Sequence, residues 1–100
     1  MKLLTKEIKN VVPELYSQED KGDEAVAYVK FFTPWSNWTW YATEFDGEDT
    51  FFGLVVGLET ELGYFSLKEL SEVAGPGGLK IERDLYFTPK PLNELKKIHS

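Results

Sequence analysis

The fold is decided by residues 38–58, WTWYATEFDGEDTFFGLVVGL. Two runs rich in aromatic and β-branched residues flank the tetrapeptide Asp-Gly-Glu-Asp at 46–49, and such residues favour strands. The Asp-Gly pair readily adopts the positive φ angles that a tight turn requires. The stretch therefore predicts a β-hairpin whose strands cover residues 38–45 and 50–58.

The flanking sequence adds further strands and helices to this hairpin. Apolar residues recur at helical spacing near the N-terminus behind Thr5, a good N-cap, and Ser66 with Glu69 matches a capping box. The Gly-Pro-Gly-Gly segment at 75–78 is expected to be a loop. We expect helices over residues 5–12 and 66–73, a last helix after the Thr-Pro-Lys-Pro segment at 88–91, and strands over residues 25–33, 62–65 and 79–87.

This order of elements predicts an α+β fold. Consecutive strands joined by short turns pair antiparallel, and amphipathic helices bury their apolar faces on the resulting sheet. A length of 100 residues fits one domain. We expect a single domain over residues 1–100, with an antiparallel sheet of about four to five strands and about three short helices.

The hairpin assigns its side chains to two faces, because side chains alternate along a strand and an even-numbered turn fixes the pairing. The face that we expect to be the core collects Thr39, Tyr41, Thr43, Phe45, Thr50, Phe52, Leu54, Val56 and Leu58. The opposite face collects Trp38, Trp40, Ala42, Glu44, Phe51, Gly53, Val55 and Gly57.

The two tryptophans of the opposite face have two interpretations. In the structural one, Trp38 and Trp40 lie across the bare backbone of Gly53 or Gly57 and shield it beneath a helix. In the functional one, they form an open shelf beside carboxylates, which binds a partner carrying a basic residue and an apolar anchor. The sequence leaves both open, and the exposure of the tryptophan side chains decides between them.

Charge and composition exclude several classes of function. The net charge is −6, and residues 31–75 alone hold eight acids against one lysine, a local charge of −7. A surface of this sign opposes direct binding to nucleic-acid phosphates. The absence of cysteine excludes disulfides and thiolate sites. No apolar run is long enough to span a membrane, and charge appears too early at the N-terminus for a signal peptide, so we expect a cytoplasmic location.

Other polar residues are weak evidence for chemistry. Glu44 and Asp46 share strand parity, which suits the paired carboxylates of a glycosidase, although acids beside a turn more often form a solvated hairpin end. His99 stands one residue from the end, where we expect a frayed terminus that makes a poor general base. Arg83 lies between two acids, so it forms a local salt bridge or anchors a carboxylate ligand. We expect no metal site and no cofactor.

The chain resembles an uncharacterised family on most of its length. The residues that carry the resemblance are FFTPWSNWTWY at 31–41, Asp-Gly at 46–47, FFGLV at 51–55, LGYFSL at 62–67, GPGG at 75–78 and IERD at 81–84. That family is catalogued as domain of unknown function 2958 and contains small proteins often carried by plasmids and other mobile elements. The resemblance implies a single-domain bacterial or phage-related protein, and it supplies no catalytic residue.

These observations favour a non-enzymatic interaction or regulatory module of a mobile element. Its mechanism would be the docking of an acidic-aromatic surface on a protein partner with a basic surface, because complementary charge steers encounter and buried tryptophan supplies affinity. The alternative is a small hydrolase, or a domain that binds carbohydrate or another small ligand, at the same hairpin through Glu44 and Asp46. The candidate binding residues are Trp35, Asn37, Trp38, Trp40, Glu44, Asp46, Glu48, Asp49 and Arg83. The sequence leaves open the oligomeric state and whether the acidic segment mimics the charge of nucleic acid.

Overall fold

The computed structural model describes residues 2–100, and Met1, the first residue of the predicted domain, lies outside them. The helices are α1 (Lys6–Val11), α2 (Leu67–Glu72) and α3 (Leu92–Ile98). The strands are β1 (Val26–Ala27), β2 (Val29–Phe32), β3 (Thr39–Phe45), β4 (Thr50–Val56), β5 (Thr60–Ser66), β6 (Glu82–Arg83) and β7 (Lys90–Pro91). Two short 3-10 segments cover Glu19–Glu24 and Pro76–Gly78.

The predicted α+β fold is confirmed. Five strands form an antiparallel sheet in the order β5-β4-β3-β2-β6, and β1 pairs with β7 in a separate two-stranded ribbon. The central strands β3 and β4 form the predicted hairpin and pair with each other along their length. No helix within residues 2–100 is long and apolar enough to cross a membrane.

Two strand predictions need correction, and one strand was not predicted. The strand expected over residues 25–33 is divided, because the chain leaves the pairing with β7 at Tyr28, whose N–H donates to the carbonyl of Ala42 in β3. The strand expected over residues 79–87 is reduced to β6, because the Asp84 carboxylate accepts the N–H of Tyr86 in a turn. The sequence did not reveal β7, which runs straight into α3.

The helices begin where the capping residues predicted. The hydroxyl of Thr5 accepts the N–H of Ile8 at 3.3 Å, and the hydroxyl of Ser66 accepts the N–H of Glu69 at 3.2 Å. Each of these bonds satisfies one of the free N–H groups of a helical first turn. The segment before β1, expected to be a loop, contains a 3-10 turn over Glu19–Glu24.

A β-bulge in β3 changes the predicted faces of the hairpin. Trp40 pairs with Val55 and Ala42 with Gly53, but the register then shifts and Glu44 pairs with Phe52. Because the bulge inserts one extra residue, every side chain beyond it turns to the other face of the sheet. Glu44 therefore lies on the face opposite the tryptophans. Phe45 lies on the same face as Trp40, and not on the face where it was expected.

The sheet is covered on both faces, so the expectation of a single core face is wrong. The face that carries Trp40, Ala42 and Phe51, called here the major face, packs against α1 and α2 and holds the larger core. On it Phe45, Phe51 and Phe65 form a stacked ladder with centroids 4.3 and 5.4 Å apart. The opposite or minor face buries Tyr41 and Leu54 against α3 and β1.

Candidate functional site

The acidic turn at the tip of the β3–β4 hairpin stabilises itself. One oxygen of Asp46, Oδ1, accepts the backbone N–H groups of Glu48, Asp49 and Thr50 at 2.8, 2.8 and 3.0 Å. These hydrogen bonds, first those from Glu48 and Asp49, hold the pKa of Asp46 below its usual value. The Asp46 side chain is therefore engaged with its own turn.

Asp49 joins this turn to α2. Its Oδ1 accepts the N–H of Lys68 at 2.8 Å, and its Oδ2 accepts the hydroxyl of Ser66 at 2.6 Å. The carboxylate thus satisfies a free N–H in the first turn of α2 and fixes the N-cap serine. Glu48, the remaining predicted acid of the turn, is exposed.

The structural interpretation holds for Trp38, which covers Gly57, and a contact that it did not include places Trp35 over Gly75. A Cβ at Gly57 would meet the Trp38 ring at 2.4 Å, and a Cβ at Gly75 would meet the Trp35 ring at 2.4 Å. The rings of Trp38 and Trp40 are stacked with centroids 5.9 Å apart. Trp35 and Trp40 pack on the core of the major face, whereas the side chain of Trp38 is 40% exposed. Of the three tryptophan rings, only that of Trp38 offers an open surface.

The structure does not bring the predicted acidic-aromatic surface together. Trp38 and the turn at Asp46 lie at opposite ends of β3, roughly 25 Å apart at 3.3 Å per residue. The neighbours of Trp38 are instead Leu58, Glu59 and Glu61, which line a shallow depression with it. Trp38 is therefore flanked by carboxylates, but by those of β5 and its turn.

Two other predicted residues have separate positions. Asn37 is exposed in the loop before β3. The Nη1 of Arg83 donates to the carbonyls of Lys2 at 2.6 Å and Leu3 at 3.3 Å, and so fastens the N-terminal segment to β6. Asp84, an expected partner of Arg83, pairs with Lys30 at 3.6 Å.

Glu44 forms the floor of a cleft on the minor face. It is only 3% exposed, and its two oxygens accept the backbone N–H groups of Tyr16 at 2.8 Å and Gln18 at 2.9 Å. The Gln18 side chain bonds in turn to the backbone of Val26 and Thr43. A buried carboxylate requires such partners, and here they fix its position beside the bulge.

This cleft, called here the tyrosine cleft, has an aromatic rim. Its volume is about 140 Å³, and it is lined by Tyr16, Gln18, Glu19, Gly22, Ala25, Thr43, Glu44, Phe52, Leu62, Tyr64 and Leu92. The rings of Tyr16 and Tyr64 are more than half exposed. A hydrogen bond with Tyr16, then desolvation and the nearby charges of Glu44 and Glu19, raise the pKa of Tyr64.

The chemistry of the tyrosine cleft suits a cation. Two carboxylates, Glu19 and Glu44, are accompanied by three aromatic rings, and no basic side chain in the described chain lines it. Aromatic faces attract ammonium and guanidinium groups, and carboxylates pair with them. The volume is well below the roughly 300–1,000 Å³ of clefts that enclose drug-sized ligands. It suits the end of a single side chain.

Sequence reasoning named Glu44 but missed the rest of this cleft. Tyr16 adopts a left-handed φ of 71°, rare for a residue with a Cβ, and comes to Glu44 from 28 residues away. Nothing in the sequence around Tyr16 signals that conformation. The sequence predicted a short strand around Tyr64 but no functional role for it. Glu44 lies on the same face of the sheet as Tyr64 only because of the bulge.

The C-terminal histidine is better ordered than expected. His99 follows α3, and its Nε2 lies 2.5 Å from the Tyr41 hydroxyl in a hydrogen bond. Burial, and then the charge of Lys30, lower the pKa of His99, while burial and Asp84 raise that of Tyr41. The expectation of a frayed terminus is therefore wrong. Within residues 2–100 no three acidic or histidine side chains converge on a metal-binding position.

The fold and this cleft define an acidic α+β protein with a buried carboxylate beneath tyrosines. The chain belongs to the family described as Protein of unknown function (DUF2958), whose model matches residues 3–98. The predicted resemblance is thereby confirmed. No curated protein and no solved structure shows a significant match to the chain.

Proposed function

We propose that this protein is a non-enzymatic interaction module that binds the cationic end of a lysine or arginine side chain, presented by a basic protein partner, in the tyrosine cleft. The observation that carries this proposal is the buried carboxylate of Glu44 beneath the rings of Tyr16 and Tyr64, in a cleft that no basic side chain among residues 2–100 lines. The partner remains the basic protein expected from the sequence, but the docking point moves from the hairpin tip to the bulge.

The energetic terms are sufficient for specific, weak recognition. Unit charges 4 Å apart attract each other by about 4 kcal/mol at an effective dielectric constant of 20. A cation over an aromatic ring adds about 0.5–2 kcal/mol. Desolvation of the cation and lost freedom oppose both terms. We therefore expect a single amino acid to bind in the millimolar range, with the rest of the partner adding affinity.

Long-range charge supports the same type of partner. Residues 31–75 have a net charge of −7, so a basic protein is attracted before contact. This attraction acts over a Debye length of about 10 Å at 0.1 M salt. The rate of association should fall steeply as salt rises, whereas the short-range contacts in the cleft should be less affected.

The hydrolase and carbohydrate alternatives gain less support from the geometry. Glu44 lines the tyrosine cleft, whereas Asp46 does not line it and is held in its own turn at the tip of the hairpin, so the two carboxylates do not form a catalytic pair. The volume of about 140 Å³ leaves little room for a sugar ring together with an attacking water. Hydrolysis of a glycoside that is lost in Glu44→Gln would favour the alternative.

A titration followed by NMR tests the proposed function. Nα-acetyl-lysine amide is added to the ¹⁵N-labelled protein, and acetyl-norleucine amide, its uncharged analogue, serves as the matched ligand. The proposal predicts saturable shifts of the amide signals of Tyr16, Gln18 and Tyr64 with the lysine ligand and not with the norleucine ligand. Equal shifts with both ligands, or none with either, would refute cation recognition.

The cellular setting is a second part of the proposal. We place the protein in the cytoplasm, as expected from the sequence features described above, and in the service of a mobile genetic element, as the family resemblance implies. Capture of partners from the native host, with and without nuclease, tests direct docking on a basic protein in that setting. A basic protein retained after nuclease treatment supports it. A partner lost on nuclease treatment means that nucleic acid bridges the two, and contradicts direct docking.

A further inference from the structure

The strand β5 forms a long open edge of the main sheet. It covers seven residues, Thr60–Ser66, and pairs with β4 alone among the described strands. The opposite edge, β6, has only two residues. Natural sheets protect long edges with charged side chains, above all lysine, and with proline, bulges or covering segments. The sequence of β5, TELGYFS, contains no lysine or proline and a single charge, that of Glu61, and its pairing with β4 runs without a bulge.

The register shows which backbone groups of β5 face outward. The N–H of Leu67 donates to the carbonyl of Asp49, in the register that pairs Phe51 with Phe65 and Gly53 with Gly63. Hydrogen-bonded and non-hydrogen-bonded pairs alternate along an antiparallel ladder. The N–H and C=O groups of Leu62 and Tyr64 therefore point away from β4, toward the open edge.

Both sides of this edge are acidic and partly apolar. On the minor face, the half-exposed side chains of Leu62 and Tyr64 border the tyrosine cleft, whose floor is Glu44. On the major face, Glu61 lies next to the exposed ring of Trp38. A strand added at this edge would have carboxylates and an aromatic ring near it on each face.

We propose that an extended basic segment of a protein partner adds to β5 as a further strand of the sheet. This inference rests on the proposed function and specifies how the cation reaches the tyrosine cleft. Main-chain hydrogen bonds to Leu62 and Tyr64 supply register, and alternate side chains of the segment turn to the two faces. Lysine or arginine side chains on the minor face then extend toward Glu44.

Charge favours this occupant over a second copy of the chain. Two copies paired through β5 would each carry a net charge of −6 and bring Glu59 and Glu61 of both chains to one seam. Like charges at a shared edge are destabilising. A basic segment instead meets carboxylates on both faces.

The test uses a seven-residue peptide that alternates lysine and valine, added to the ¹⁵N-labelled protein. Two control peptides carry the same sequence with backbone N-methylation at all lysines or at all valines. Strand addition predicts that one methylated peptide loses at least tenfold in affinity and the other binds as before, because the N–H groups that face β5 alternate along the peptide. Equal affinity for the three peptides would overturn the proposal.

A pair of protein variants tests the same edge from the other side. Leu62→Pro removes an outward N–H and leaves the pairing with β4 intact, whereas Leu62→Ala trims the side chain and retains that N–H. We expect the proline variant to lose peptide binding, and the alanine variant, which trims one side chain of the tyrosine cleft but keeps the N–H, to lose much less of it. Equal loss in both variants would contradict strand addition. If Leu62→Pro fails to fold, the methylated peptides decide the question without it.

The outcomes separate this inference from the proposed function. If the methylated peptides bind equally but the lysine ligand still shifts Tyr16 and Tyr64 signals, cation recognition stands and strand addition fails. If neither the peptide nor the lysine ligand binds, both fail. Concentration-dependent dimerisation that is abolished by Leu62→Pro would overturn the basic partner in favour of a second copy.

Discussion

The backbone N–H of Tyr16 donates to the carboxylate of Glu44 at 2.8 Å, although 28 residues separate the two along the chain. This bond, with its companion from Gln18, fastens the segment between α1 and β1 to the bulge of β3. It also places the ring of Tyr16 at the rim of the tyrosine cleft. One buried side chain therefore holds the local fold and supplies the charge of the candidate site.

Replacing Glu44 with glutamine should cost stability. A glutamine has one acceptor oxygen where Glu44 uses two, so the N–H of Tyr16 or Gln18 would face an amide N–H₂ donor. An unsatisfied buried donor costs about 1–3 kcal/mol. We expect a loss of that size in urea unfolding of Glu44→Gln. Glu48→Gln, at an exposed position of the turn, serves as the control.

The control should stay within about 0.5 kcal/mol of the original protein, as is usual for exposed positions. A similar free energy of unfolding for both variants would show that Glu44 does not stabilise the bulge. A change in the slope of the unfolding curve would instead indicate an altered unfolded state, and ligand titrations of that variant should then be interpreted separately.

Two glycines that face each other across β4 and β5 should respond oppositely to alanine. A Cβ at Gly53 would lie 1.8 Å from the Tyr41 carbonyl oxygen, whereas a Cβ at Gly63 meets nothing within 4 Å. We expect Gly53→Ala to lose about 3 kcal/mol or more, because backbone must move. Gly63→Ala should be neutral or gain up to about 1 kcal/mol. Thermal unfolding of both variants measures the difference, and equal melting temperatures would contradict the register.

Stability should depend on the protonation of His99. Its pKa lies below the ordinary value of 6.5 in the folded state, because burial and then Lys30 disfavour the charged form. The unfolded chain therefore binds more protons just below pH 6.5, and stability falls as the pH drops through that range. We expect melting temperatures measured at pH 7.5 and 5.5 to differ more for the original protein than for His99→Gln.

The range between pH 7.5 and 5.5 distinguishes the effect of His99 on stability from that of the acidic turn. The pKa of Asp46 is lowered from 3.8, so its contribution is present above that pH and is lost only in stronger acid. A pH dependence between 7.5 and 5.5 that is unchanged in His99→Gln would mean that the contact with Tyr41 does not control it.

The elements of the fold were largely predictable from sequence because they depend on local chemistry. Thr5 and Ser66 cap helices through their own first turns, and the Asp-Gly pair forms the hairpin turn between β3 and β4. Each of these features needs only residues a few positions apart. The order of strands and helices, and with it the α+β class, follows from these local features.

The candidate site was much less predictable because it depends on one extra residue in a strand. The bulge at Thr43 has no sequence signature of its own, yet it moves Glu44 from the tryptophan face to the minor face. The contact with Tyr16 is long-range and uses a left-handed backbone. Neither alternation nor helical spacing carries that information, so the predicted surface joined Trp38 to acids at the wrong end of β3.

Two tyrosine variants, compared in the titration with Nα-acetyl-lysine amide, test directly whether the tyrosine cleft recognises a cation. Tyr64→Ala removes an aromatic ring from the rim of the tyrosine cleft, and Tyr86→Ala removes a ring that is 92% exposed and does not line the cleft. We expect the dissociation constant to be at least fivefold larger for Tyr64→Ala, a loss of about 1 kcal/mol, and unchanged for Tyr86→Ala. Equal dissociation constants in the two variants would contradict cation recognition by this cleft.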